Sequence, residues 1–130
     1  ADRAMSDSGR ITLEDTEEET RIRLTLRFDR AWASVVKGTE DADFVIDDRD
    51  RSEGLLYVTF VGPQDEEDSG WFDWLWGGED EHPLAGHQYQ IHLDRAGEEL
   101  TLITLRGPDG GAVDRRDQQA LLTILRGNIT

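Results

Sequence analysis

Residues 43–60 constrain the fold more than any other stretch of the sequence. They contain two apolar strand patterns, joined by a short and highly charged stretch that closes at Gly54. Phe44 and Ile46 alternate before the charged residues, and the run Leu55–Val61 is apolar on both of its faces. Strand patterns that flank a turn containing Gly are typical of a β-hairpin. The stretch therefore predicts a hairpin whose second strand is central in a sheet and covered on both sides.

The residues before this hairpin predict a strand followed by a crossover helix. Residues 20–28 alternate between apolar and polar side chains, and the period changes at Asp29, which we expect to cap the helix. The helix is predicted to run to about Glu40, and Gly38 near its end predicts either a close approach to another element or an early end. Its apolar residues at helical spacing are Ala31, Trp32, Val35 and Val36.

The rest of the chain predicts short antiparallel connections and a final helix. A strand begins at His87, residues 94–97 read as a hairpin turn with a left-handed Gly97, and residues 99–106 form the partner strand. Asp114 is the predicted cap of the last helix. The apolar residues of that helix are Ala120, Leu121, Ile124 and Leu125, and those of the strand after His87 are Tyr89, Ile91 and Leu93.

With a further short strand at residues 10–14, the sequence predicts six strands and two helices. This composition indicates an α+β fold in which an antiparallel sheet packs against two helices. A chain of 130 residues has room for one core, so residues 10–130 are expected to form a single domain. We expect residues 1–9 to be a flexible N-terminal segment and residues 62–86 to be a long, acidic, Trp-rich loop.

Charge and composition exclude several classes of function. The net charge of −15 argues against binding nucleic acid or an anionic membrane surface, because both require basic groups. The absence of Cys excludes disulfides, thiol catalysis and Cys-ligated metals. Ser34, Ser52 and Ser69 lack the Gly-x-Ser-x-Gly pattern of a nucleophile elbow. The sequence therefore predicts no catalytic residues, no cofactor and no enzyme activity.

Two stretches resemble metal sites only in part. Asp48, Asp50 and Ser52 match the opening of a calcium loop, but the sixth position is Glu53 where that loop needs Gly, and the twelfth is Thr59 where it needs Glu. Residues 79–82 together with His87 and His92 contain zinc-ligand types. The odd spacing of the two histidines sends them to opposite faces of a strand. We therefore expect no bound metal.

The charged turn and the strand after it resemble a known family. Asp47–Gly54 followed by Tyr57–Phe60 is similar to the corresponding stretch of the NlpB/DapX lipoprotein family, which includes the outer-membrane assembly factor BamC. Other stretches agree with that family in the same order and spacing, so the resemblance extends over about residues 10–127. These stretches are Phe28–Trp32, Gly86–Tyr89, Pro108–Gly110 and Gln118–Leu122.

The resemblance implies a helix-grip domain, in which an antiparallel sheet wraps against a long helix. It implies a non-catalytic accessory subunit of the machinery that assembles β-barrel proteins in the outer membrane of Gram-negative bacteria. The partners are then the other subunits of that complex. Membrane attachment is expected through a lipid anchor upstream of this fragment, with the domain itself soluble and either periplasmic or surface-exposed.

Two further points stay open at the level of sequence. Trp71, Phe72, Trp74 and Trp76 lie within six residues, here called the Trp segment (residues 71–76), and are the candidate partner-binding residues. The alternative is that Trp71, Trp74 and Leu75 fold back over the sheet as one turn of helix. A second function from a different class is the binding of a small apolar ligand or lipid in the groove between the sheet and the helix of Trp32.

Overall fold

The computed structural model describes residues 10–62 and 86–129, which form one six-stranded antiparallel sheet and two helices. The predicted α+β class is confirmed. The predicted flexible start at residues 1–9 and nearly all of the predicted loop at 62–86 lie outside the described residues. In chain order the elements are β1 (Ile11–Asp15), β2 (Thr20–Leu24), α1 (Phe28–Asp41), β3 (Phe44–Asp50), β4 (Leu55–Phe60), β5 (Gln88–Gly97), β6 (Leu100–Arg106) and α2 (Arg115–Arg126).

The sheet has the strand order β1-β2-β6-β5-β4-β3, and every neighbouring pair is antiparallel. Helix α1 carries the chain from β2, near one edge, to β3 at the opposite edge. This is the crossover that the change of period at Asp29 predicts. The connections β1–β2, β3–β4 and β5–β6 each join neighbouring strands. Strands β4 and β5 are also neighbours, but the connection between them includes residues that are not described.

Both helices pack on the same face of the sheet. The apolar stripes of the helices and the inward-facing residues of the strands form one buried cluster. Burial of this apolar surface is the main contribution to folding free energy. The predicted helix residues Ala31, Trp32 and Val35 are buried, as is the predicted stripe of α2. The fully buried residues with the largest side chains are Phe60, Ile22, Leu24, Leu56, Ile91, Ile103, Leu121, Leu122, Leu125, Val35 and Val58.

Helix α1 begins earlier than the sequence predicts. Its N-cap is Arg27 and its first residue is Phe28, so the prediction of Asp29 as the cap is wrong. The Phe28 ring stacks on Trp32 with 6.1 Å between centroids, and the Arg95 guanidinium lies 4.3 Å above the Phe28 ring. Phe28 is buried at the start of the helix, and β2 ends four residues earlier, at Leu24.

Two predicted turns are partly strand in the structure. Strand β3 extends through Asp50, with a register shift between Ile46 and Asp48, so the charged turn shrinks to residues 51–54. Residues 94–97 belong to β5, and the turn follows at residues 98–99. Gly97 is therefore not the left-handed turn residue that its position in the sequence predicts. In both places cross-strand hydrogen bonding continues beyond the point where side-chain composition suggests a turn.

Two glycines are required by close backbone approaches. A Cβ atom on Gly38 would lie 2.9 Å from Cγ1 of Ile129 and 3.2 Å from the carbonyl oxygen of Asn128, so the predicted close approach is made by the C-terminal residues. Gly54 closes the charged turn with φ +66°, where L side chains are strained. A Cβ atom there would overlap the carbonyl oxygen of Leu93.

Candidate interaction surface

The helix-free face of the sheet carries the large apolar side chains that the described residues leave exposed. Val45 on β3 has 49% of its surface exposed and Tyr57 on β4 has 36%. Leu55, next to Tyr57 on this face, is half-buried. Both helices lie on the other face of β4, and a second cover over this strand stays a prediction, because residues 63–85 are not described.

Next to these residues, polar side chains on β5 are held in fixed positions. Gln90 is buried and its Nε2 donates a hydrogen bond to the carbonyl oxygen of Pro108, at 2.8 Å. His92 Nε2 donates to Gln90 Oε1, at 3.0 Å. Burial and the neighbouring Arg106 lower the pKa of His92, while Asp94 acts in the opposite direction. The neutral imidazole and the Gln90 amide together fix the turn after β6 against this side of the sheet.

At the other side of this face the charges largely balance each other. Arg21 Nε lies 3.3 Å from Glu14 Oε1, and Arg106 lies 3.7 Å from Glu19. These pairs are partly exposed, and each contributes at most about 1 kcal/mol to stability. The strong negative charge of the chain is therefore not concentrated on β1 and β2.

The end of the β4–β5 pair is where the Trp segment connects to the sheet. Phe60 N donates to the carbonyl oxygen of His87 at 3.0 Å, and Gly86 N donates to that of Phe60 at 2.6 Å. The chain therefore leaves β4 and enters β5 at adjacent points. The candidate partner-binding residues Trp71, Phe72, Trp74 and Trp76 lie outside the described residues.

A cavity of about 560 Å³ lies beside this connection, at the start of α2. We call it the Tyr89 cavity; its polar lining includes Thr59, His87, Tyr89, Asp114 and Asp117. Burial, and secondarily the Asp117 carboxylate, raise the pKa of Tyr89 to about 12. Burial, followed by Asp114, raises the pKa of Asp117, and Arg116 and His87 partly oppose that rise. The cavity is thus a partly desolvated site with negative charge.

Asp114 occupies the predicted N-cap position of α2 but does not act as a cap through its side chain. The first turn of α2 is held instead by Arg115, which forms an ion pair with Asp15. Arg115 also donates a hydrogen bond of 2.7 Å to the carbonyl oxygen of Glu17. Gln119 Nε2 also donates to Asp15, at 3.0 Å. Helix α2 is therefore fixed to the β1–β2 turn by its basic and amide side chains, which leaves the Asp114 carboxylate facing the cavity.

The charged turn after β3 satisfies its own polar groups. Ser52 Oγ donates to Asp50 Oδ1 at 2.7 Å, and the amide of Glu53 lies 3.3 Å from the same oxygen. Thr59 Oγ1 donates to Asp47 at 2.6 Å. Within residues 10–62 and 86–129, no group of three or more His, Asp or Glu side chains is arranged to hold a metal ion. The zinc-ligand types at residues 79–82 lie outside these ranges.

The space between α1 and the sheet is filled by packed side chains, with Ala31 and Val35 fully buried and Trp32 8% exposed. An opening of about 520 Å³ lies at the start of α1, and charged residues dominate its wall. The described residues thus do not provide the apolar groove that a small-ligand function requires. The residues that line the opening are Arg27, Phe28, Asp29, Arg95, Gly97, Glu98 and Glu99.

The described fold places the chain in the class of α+β domains with an antiparallel sheet, two helices on one face and an open second face. The family model for the outer membrane protein assembly factor BamC-like C-terminal domain matches residues 11–129, and the chain belongs to this family. The resemblance seen in the sequence is confirmed. None of the helices in the described part of the chain is both long and apolar enough to cross a membrane.

Three relatives are each described as outer membrane protein assembly factor BamC. The protein of Thiobacillus denitrificans is 32% identical over 102 residues, which is 75% of this chain and 28% of the relative. That of Pseudoalteromonas atlantica is 30% identical over 93 residues, 71% of this chain and 24% of the relative. That of Ferrimonas balearica is 34% identical over 91 residues, 70% of this chain and 23% of the relative. The chain thus spans about a quarter of the length of these relatives.

Sequence reasoning missed the Tyr89 cavity. In the sequence, Asp114 indicates only a helix cap and Tyr89 only an apolar residue of an alternating strand. Asp117 indicates only an acid in the first turn of a helix, where acids favour the helix dipole. The three come together only because α2 packs on β1, β2 and β6, which places its first turn near the start of the neighbouring β5. The sequence contained one signal of the site, because two acids three residues apart lie on the same side of a helix start. The same spacing is common on solvated surfaces, so it does not identify a site by itself.

Proposed function

We propose that this chain is a non-catalytic domain of an accessory subunit in outer-membrane β-barrel protein assembly, acting through protein–protein contacts. The match of the family model over residues 11–129 carries this proposal, because it covers both helices and all six strands of the described fold. The relatives' description as assembly factors supports the process. The polar cavity is a feature of a binding domain, and it supports contact with other proteins over chemistry.

The partners proposed are other subunits of the β-barrel assembly complex. The Trp segment is the proposed anchor, because Trp side chains supply a large contact area and are enriched among the residues that dominate interface energies. Residues 62–82 contain eight acids and no Lys or Arg, which favours a partner surface with basic groups over anionic lipid. Attachment to the outer membrane is proposed through a lipid anchor in the longer protein.

A capture experiment tests this function. The purified chain, immobilised on beads, is incubated with detergent-solubilised outer-membrane extract, and retained assembly subunits are identified by mass spectrometry. We expect capture by the wild type and at least about a tenfold loss with Trp74→Ala and Trp76→Ala combined, as for the loss of an interface hot spot. Failure of the wild-type chain to retain any assembly subunit would overturn the proposed function.

Val45→Ala is the matched control, because Val45 is exposed and apolar but lies on the helix-free face of the sheet. It should retain capture close to the wild type. Circular dichroism spectra and unfolding midpoints of all variants must agree with the wild type for the comparison to hold. A loss with Val45→Ala but not with the Trp variants would instead place the contact on the sheet face.

A further inference from the structure

The Tyr89 cavity contains hydrogen-bond acceptors that the described fold does not use. Tyr89 has 7% of its surface exposed, and it lines the cavity. Its hydroxyl makes no hydrogen bond to any other group in the described part of the chain, and it is not one of the buried polar atoms that lack a partner, so it is open to the cavity. A hydroxyl that is open to a cavity and is not used by the fold is available to a ligand that supplies a donor there.

The two carboxylates of the cavity are likewise available. Across residues 10–62 and 86–129, Asp114 and Asp117 make no ion pair within 4.0 Å and no side-chain hydrogen bond. Asp15, at the opposite side of the same helix turn, contacts Arg115, Gln119 and Thr20. Helix α2 is therefore anchored through Asp15 of β1, while the two acids at its own start line the cavity without a partner among the described residues.

The sign of the charge in the cavity is set by these carboxylates. The N-terminus of a helix contributes about half a positive charge, whereas Asp114 and Asp117 contribute two negative charges. Arg116 acts on Asp117 but does not line the cavity. A cation that enters would relieve the repulsion between the two carboxylates and compensate for the partial burial of Asp117.

We propose that the Tyr89 cavity binds a cationic side chain of a partner protein, and specifically an arginine guanidinium. A guanidinium presents five N–H donors in one plane, which suits acceptors supplied from β5 and from the first turn of α2. The cavity volume of about 560 Å³ accommodates an Arg side chain with the backbone next to it. The identity of the partner as an assembly subunit rests on the proposed function, whereas binding of the cation does not.

A titration with a small arginine probe tests this proposal without any partner protein. The 15N-labelled chain is titrated with Nα-acetylarginine amide, and amide shifts are followed by NMR. The neutral citrulline analogue has nearly the same shape and is the control ligand. We expect saturable shifts at His87, Tyr89, Asp114 and Asp117 with the arginine probe and none with the citrulline probe.

Variants separate a local site from general attraction to an acidic chain. Asp117→Asn and Tyr89→Phe should each weaken the arginine probe about tenfold, as expected for loss of one hydrogen bond to a charged group. Asp48→Asn makes the same change of charge in the exposed turn after β3 and should leave binding within twofold. Equal shifts with the two probes, or equal weakening by Asp48→Asn and Asp117→Asn, would overturn the proposal.

The capture assay distinguishes this site from the broader function. Loss of capture with Asp117→Asn supports an arginine of the partner in the cavity. Normal capture by Asp117→Asn, when binding of the arginine probe is weakened as expected, overturns the part of the proposal that assigns the cation to the partner. If the wild-type chain binds the probe but captures no assembly subunit, the proposed function fails while the cation site remains.

Discussion

The buried amide nitrogen of Thr20 donates a hydrogen bond to Oε1 of Gln118 across 2.8 Å, which joins β2 to α2 over a sequence separation of 98 residues. Nε2 of Gln118 donates to the carbonyl oxygen of Val113, at 2.6 Å. Thr20 and Gln118 are both buried, so water does not replace either bond easily. One side chain thus satisfies two backbone groups and holds the first turn of α2 on the sheet.

Gln118→Ala should therefore destabilise the fold by about 2–4 kcal/mol, because it leaves a buried N–H and a partly buried carbonyl without partners. Urea unfolding followed by Trp fluorescence measures the change. Gln119→Ala is the control, since Gln119 bonds Asp15 at an exposed position and its loss should cost less than about 1 kcal/mol. Equal losses for the two variants would show that the Thr20 bond contributes no more than an exposed one.

Gly54→Ala should cost about 3 kcal/mol or more, from the strain of a positive φ combined with the overlap of Cβ and the Leu93 carbonyl oxygen. Gly86→Ala provides a comparison, because Gly86 also has a positive φ but a Cβ there meets no atom within 4 Å. Its cost should be about 1 kcal/mol, the conformational part alone. The free energies of unfolding of the two variants, measured in urea, should differ by the cost of the overlap between the Cβ atom at position 54 and the Leu93 carbonyl oxygen.

Asp117→Asn should stabilise the chain at neutral pH. The pKa of Asp117 is raised in the fold by burial and by Asp114, against Arg116 and His87, so the unfolded state loses this proton first as the pH rises. The contribution of Asp117 to stability is largest below its unfolded pKa and is lost as the pH rises through its folded pKa. The difference in unfolding free energy between Asp117→Asn and the wild type should therefore grow from low pH towards neutral pH. A constant difference would contradict the raised pKa.

Tyr89 should ionise late and should destabilise the fold as it does so. The chain has two tyrosines, so in Tyr57→Phe the absorbance of phenolate at 295 nm reports Tyr89 alone. Its midpoint is expected at about pH 12, above the ordinary 10.0. Because the unfolded state ionises first, stability should fall as the pH rises from 10 towards 12. A midpoint at the ordinary value would show that Tyr89 is not desolvated.

The regular elements could be predicted because their periods depend only on local sequence. The alternation at Tyr89, Ile91 and Leu93 and the stripe of α2 both match the buried residues. The ends of elements were harder to predict. Phe28 continues the alternating pattern of β2 in the sequence, yet its stacking on Trp32 and its contact with Arg95 place it in α1.

The sequence by itself determined the α+β class, the six strands, the two helices and the crossover. The period of each apolar pattern shows whether a segment is a strand or a helix and which of its faces is buried. Only the tertiary structure decided that both helices share one face of the sheet and that, among residues 10–62 and 86–129, no helix covers β4 on the other. It also decided that Tyr89, Asp114 and Asp117 surround one cavity. Local sequence cannot specify that cavity, because its acceptors come from β5 and α2, whose relative position follows from the packing of the whole core.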